Sequence, residues 1–167
     1  VKNDNKTFVT ENIHLKNLTT NYYASEYTLI LGTDKIEQIE AFDGQGPLKI
    51  NVEKASEQTK IHVKFNEKIV GQGNILNWSL KYQSLEIAKK LGRIWEINIP
   101  GIANQNDFSA FNVHVSVPAS FGKPTYIKPA QPHNNLDFTK EQLGNGGISI
   151  AFGKKQIPET NRVAESA

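Results

Sequence analysis

Apolar and polar residues alternate along several stretches of this chain, and alternation with a period of two places the two kinds on opposite faces of a pleated strand. Leu48, Ile50 and Val52 alternate with Lys49 and Asn51, and after KASEQ the residues Ile61, Val63 and Phe65 alternate with His62 and Lys64. This pair predicts a hairpin. Leu76, Trp78, Leu80 and Tyr82 share one phase of residues 75–82, which predicts a central, half-buried strand. Trp95, Ile97 and Ile99 repeat the device in RIWEINI, as do Phe111, Val113, Val115 and Val117 before Pro118, and the late run GISIAF. Proline cannot donate to a sheet ladder, so the strand ending at residue 117 stops there. Toward the start, Val9, Ile13 and Leu15 share a face of a long first strand, and Tyr23, Tyr27, Leu29 and Leu31 a face of the second, with LTTN between them. A shorter strand near 35–42 ends at DGQGP, where Gly44 and Gly46 permit positive φ and Pro47 presets the return.

Short alternating strands separated by turn signals predict an all-β fold, an antiparallel β-sandwich over residues 1–152 as one domain, with 153–167 a polar tail or linker. Its expected core includes Leu76, Trp78, Leu80, Trp95, Ile97, Val113, Val115 and Val117. One short helix is expected near 85–91. Ser84 is a suitable N-cap, LEIAKKL supplies about two turns with Lys89 and Lys90 at the negative end, and Gly92 suits the left-handed C-terminal position. FTKEQL offers a weaker helical turn. PASFGKPTYIKPAQPHNN, with four prolines, is expected to run extended along a sheet edge or between sheets.

The order VKFNEKIVGQGNILNWSLKYQSLEIAKKLGRIWEINIPGI followed by VSVPASFGKPTYIKP resembles the N-terminal β-domain of bacterial transglutaminase-like cell-surface proteins, over about residues 6–153. FNEKIVGQG, GRIWEINIPGI and VPASFGKP carry the resemblance, and none is a catalytic motif. The resemblance implies a non-catalytic accessory or binding domain outside the bacterial cell, preceding a separate papain-like module in a membrane-anchored protein. Its partners would then be other modules of the same polypeptide, with another surface protein or a polysaccharide as further candidates. Subunits of an extracellular polymer assembled by strand addition are the alternative reading, for which residues 7–15 are the terminal stretch with the right alternation. A carbohydrate-active or metal-binding domain is a more distant one.

Composition narrows the chemistry further. The chain contains no Cys, which removes disulfides, thiolate zinc sites and the cysteine nucleophile that transglutaminase-type chemistry needs. It also has no Met and opens on Val1, so it is read as a processed or excised segment. A net charge of +2 from 19 basic and 17 acidic residues lacks the excess that nucleic-acid binding requires. No apolar run approaches the roughly 18 residues of a membrane span, so direct membrane insertion by this segment is not expected.

No catalytic, cofactor-binding or metal-binding residue is assigned. The nearest match to a nucleophile elbow is GISIA, where Ser149 falls in an alternating strand rather than on a strand-to-helix turn. DGQG has too few oxygen ligands for a calcium loop. His14, His62 and His114 each stand between aliphatic residues, and three imidazoles from neighbouring strands would suit zinc or copper; their spacing pre-forms no pair, so separate solvated faces are expected, with His133 in the proline-rich loop. Trp78, Tyr82 and Trp95 are in phase with core residues, whereas Tyr22 is out of phase and better placed for contact. Glu11, Glu40 and Glu96 occupy strand positions from which a pair would be needed for acid-base work on a glycoside. Lys89, Lys90 and Arg93, and Lys154 and Lys155, read as solvated faces, and the sequons at Asn5, Asn17 and Asn77 as chance matches.

Overall fold

The computed structural model describes residues 1–101, 105–144 and 146–153. It is all-β and antiparallel, with one short α-helix. The sequence treats 1–152 as one domain; the contacts group the chain into two compact units, Val1–Ile87 and Ala88–Ala167.

The first unit is a sandwich of two sheets. β1 (Thr7–Lys16), β2 (Glu26–Leu31), β3 (Ile36–Asp43), β4 (Gly46–Pro47), β5 (Lys49–Ala55), β6 (Gln58–Lys64) and β7 (Ile75–Ser84) divide into a four-stranded sheet of order β1-β7-β3-β4 and a three-stranded sheet of order β2-β6-β5. The expected hairpin is β5–β6, in which Ile50 faces Val63 and Val52 faces Ile61. β7 is central, as its alternation requires, and pairs with all ten residues of β1: Val9 with Tyr82, Glu11 with Leu80, Ile13 with Trp78 and Leu15 with Leu76. Opposed residues of an antiparallel pair share a face, so these side chains all turn toward the other sheet. There they meet Ile61 and Val63 in one core with Ile36, Ala41, Trp78 and Leu80. The Trp78 ring joins the layers, 5.6 Å from the centroids of both Tyr27 and Phe65.

In the second unit β8 (Ala88–Leu91), β9 (Ile94–Ile99), β10 (Asn112–His114), β11 (Pro124–Lys128), β12 (Asp137–Thr139) and β13 (Ile148–Phe152) form a four-stranded sheet, β11-β13-β9-β8, and a two-stranded one, β10-β12. The expected strands RIWEINI and GISIAF are β9 and β13, paired with Trp95 opposite Phe152 and Ile97 opposite Ile150. Trp95 stacks on Phe121 at 4.6 Å, and Phe121 meets Phe152 edge-on at 5.5 Å. The proline-rich stretch supplies β11 on a sheet edge, the position in a sheet where proline is tolerated.

Two expectations are corrected. Residues 85–91 are not a helix: they form a bend followed by β8, which pairs Ala88 with Ile97 and Lys89 with Glu96. Two isolated helical turns carry a nucleation cost they do not recover, whereas the hairpin buries Ala88 completely. Gly92, at φ 63°, is the first residue of its two-residue turn, the position where such hairpins favour glycine. The α-helix lies instead at α1 (Lys140–Leu143), within the segment FTKEQL. Finally, 111–117 is not one long strand. Only Asn112–His114 pairs, and of its expected core residues Val115 is buried while Val113 and Val117 are half-buried. Of the polar tail expected from 153 onward, residues 154–167, including Lys154 and Lys155, lie outside the described residues.

Candidate functional site

Polar side chains gather in two shallow surface depressions, one on each unit. On the first unit, the outward-facing residues of β1, β7 and β3 line a hollow of about 430 Å³ with Asn12, His14, Phe42, Asn77 and Ser79. His14 and Asn77 are directly opposed across the two strands, and His14 Nδ1 donates to Asn77 Oδ1. Beside them, Lys81 Nζ lies 5.5 Å from the Phe42 ring centroid.

On the second unit, β10 and β12 line a hollow of about 450 Å³ with Asn112, His114, Gln131, Asn135, Asp137 and Gln142. His114 and Asp137 are opposed in the β10–β12 pairing, and His114 Nδ1 donates to Asp137 Oδ1 at 2.5 Å. This orients the imidazole, as a carboxylate does for a general base. Both side chains are well exposed, so water screens the pair and it contributes little to stability. Each motif, VHV and LDF, is a lone polar residue between apolar ones, a signal the sequence carries. The pairing that brings them together spans 23 residues and carries no local signal.

Within the first unit His14 and His62 do not converge. His62 lies on the outer face of β2-β6-β5, its Nε2 donating to Glu26 at 3.1 Å and its Nδ1 2.9 Å from the Thr28 hydroxyl. His14 lies on the outer face of the opposing sheet, and His114 in the second unit. Among the described residues no three His, Asp or Glu side chains are grouped as a metal site.

Nor do the strand carboxylates of the first unit pair. Glu40, opposite Lys81, is on the outer face of the sheet whose inner face carries Glu11; Glu96 is on β9 of the second unit. Glu11 follows the phase of Val9, Ile13 and Leu15 and accepts a hydrogen bond from the Tyr82 hydroxyl at 3.1 Å. Burial pushes the Glu11 carboxyl above the ordinary carboxylate range, against the smaller opposing effect of that bond. Burial and the Glu11 carboxylate push the Tyr82 phenol far up in turn. Because the unfolded chain gives up the Glu11 proton first, stability is lost as pH rises from the unfolded to the folded pKa of this group. Glu11→Gln keeps an acceptor for Tyr82 and removes the charge. It is expected to raise the denaturation midpoint at pH 7 and to remove this loss; a lower midpoint at pH 7 would refute the assignment.

Ser149 sits within β13, opposite Asn98 and Lys128, as a strand residue. Asn17 and Asn77, the sequon asparagines of β-sheet ends and faces, are both hydrogen-bonded: Asn77 to His14, and Asn17 through Nδ2 to the carbonyls of Tyr22 and Ile69. Asp43 is a further anchor that turn composition alone does not reveal. Desolvation acts to raise its carboxyl, but hydrogen bonds from the Gln45 amide, the Asn66 side chain and the Asn66 and Glu67 amides prevail and hold it below the ordinary range. It thereby ties the β3–β4 turn to the chain beyond β6. No protein-family model, curated protein or solved structure matches the chain.

Proposed function

We propose that this chain is a non-catalytic accessory or binding domain of a larger, surface-anchored, transglutaminase-like bacterial protein, acting outside the cell. The observation that carries the reading is the state of the polar strand residues: His14, His62 and His114 are each held singly, by Asn77, by Glu26 with Thr28, and by Asp137, on open strand faces. Rigid, open, hydrogen-bonding faces suit recognition of a neighbouring module, a surface protein or a polysaccharide. Catalysis instead draws on a nucleophile and base set together in a recess. The stretches FNEKIVGQG, GRIWEINIPGI and VPASFGKP support the larger context by resemblance. The strand-addition alternative has less behind it, because residues 7–15 are already paired with β7 of the same chain. Assay of the purified chain for amine incorporation and peptide cleavage tests the reading, which expects no turnover.

A further inference from the structure

We propose that one end of the first unit, formed by residues 17–25 and 66–74, docks peripherally onto an anionic lipid surface. The inference is independent of the accessory-domain reading. Five of the large apolar side chains exposed in the described residues belong to these loops or adjoin them: Leu18 is 73% exposed, Tyr22 77%, Val70 65%, Ile75 56% and Tyr23 46%. Exposed apolar groups gathered in one place mark an interaction surface, whereas scattered ones do not.

The gathering is enforced by backbone. Asn17 N donates to Asn74 O at 2.8 Å and Gly73 N to Asn17 O at 2.7 Å, while Asn17 Nδ2 reaches Tyr22 O at 2.8 Å and Ile69 O at 3.1 Å. Asn74 Nδ2 donates to Val70 O at 2.5 Å. Two loops some fifty residues apart are thus pinned through Asn17, so the apolar tips are presented without a further ordering cost. A single-segment search for apolar runs misses such a surface, which is why the sequence gives no expectation of membrane contact.

Charge selects the occupant. Residues 17–25 contain no charged side chain and 66–74 only Glu67 and Lys68, and a lysine stands immediately before each apolar tip, Lys16 before Asn17 and Lys68 before Ile69. Lys68 Nζ lies 5.5 Å from the Tyr23 ring centroid. Of the neighbouring acids, Glu26 pairs with His62 at 3.1 Å, and Glu67 is half-buried beside Lys68. An uncharged aliphatic tip, tyrosines and a cationic collar match, in order, the acyl boundary, the interface and the phosphates of an anionic bilayer. Among the described residues no helix is long and apolar enough to cross a membrane, and shallow docking requires none.

The test is flotation of the full chain with phosphatidylcholine vesicles with and without phosphatidylglycerol. Binding is expected to the phosphatidylglycerol vesicles, weakening with salt. Leu18→Ser with Val70→Ser is expected to lower partitioning about tenfold or more, and Lys16→Gln with Lys68→Gln to lower it several-fold at low salt, without change in the circular-dichroism melt. Should the double serine variant melt early, Tyr22→Ser alone is expected to reduce partitioning in a chain that melts normally. Absence of partitioning by the unaltered chain, or partitioning indifferent to the tip substitutions, overturns the proposal. So does a concentration-dependent dimer lost on Leu18→Ser with Val70→Ser and unaccompanied by vesicle binding, which would assign the surface to a second copy.

Discussion

Trp78→Ala is expected to destabilise the first unit by about 3–5 kcal/mol, the range for removing a buried large aromatic side chain. Trp78 is 3% exposed on the central strand of its sheet, and its ring meets Tyr27 from the opposing sheet and Phe65 beyond the end of β6. Truncation therefore leaves a void where the two layers join. Its indole Nε1 has no hydrogen-bond partner among the described residues, so the ring is held by packing rather than by a polar bond. Trp78→Phe, which retains an aromatic ring and removes the orphan donor, is expected to cost less than the alanine variant. Ile75→Ala, in the exposed phase of the same strand, is expected to fall within about 0.5 kcal/mol of the unaltered chain. Denaturant unfolding followed by circular dichroism checks all three, since fluorescence would lose one of its two tryptophan probes. An unchanged midpoint for Trp78→Ala would show that this ring is not a core residue.

A comparable loss is expected in the second unit from a substitution that adds only a methyl group. Gly147 has φ 66°, and a Cβ built there would lie 2.1 Å from Ile99 O, 2.7 Å from Gly101 N and 2.9 Å from Pro100 C. All three are backbone atoms, which cannot swing aside as a side-chain terminus would. Gly147 N also donates to Leu143 O at 3.0 Å, so the residue cannot drift without losing that bond. Left-handed backbone costs a non-glycine residue about 1–2 kcal/mol, and forced overpacking typically adds about 1–3. Gly147→Ala is therefore expected to cost about 2–5 kcal/mol. Gly146→Ala, one residue earlier, meets nothing within 4 Å and is the matched control. Equal midpoints for the two alanine variants would contradict the close approach of the loop to the end of β9.

The strands were legible where a long run kept one phase. Leu76, Trp78, Leu80 and Tyr82 identify β7 and its inward face because four residues agree, and Ile61 and Val63 do the same for β6. Residues 85–91 misled because LEIAKKL between Ser84 and Gly92 satisfies helix rules locally. Pairing with β9 decides the outcome, and that partner is not encoded within the segment itself. Residues 111–117 misled in the opposite way: the alternation continues past His114, but β12 offers only three partners. The polar sites were less accessible still. Placing His14 and His62 on opposite faces of a sandwich requires knowing that β1 joins β7 while β2 joins β6. The sequence shows Glu11 in phase with Val9 and Ile13, but the Tyr82 hydroxyl that meets it lies 71 residues away. Tyr22 was separable from the core by phase alone, and it is among the most exposed aromatic side chains described.

The central claim, that this chain recognises rather than transforms, is tested most directly by the turnover assay on the purified protein carried out beside His114→Ala. His114 is the informative position because its Nδ1 is oriented by Asp137 while the ring remains exposed, the nearest approach in the described residues to an oriented general base. The account predicts amine incorporation and peptide cleavage at the buffer background for both proteins. Turnover by the unaltered chain that disappears in His114→Ala, with the fold intact by circular dichroism, would contradict it and make the second depression an active site.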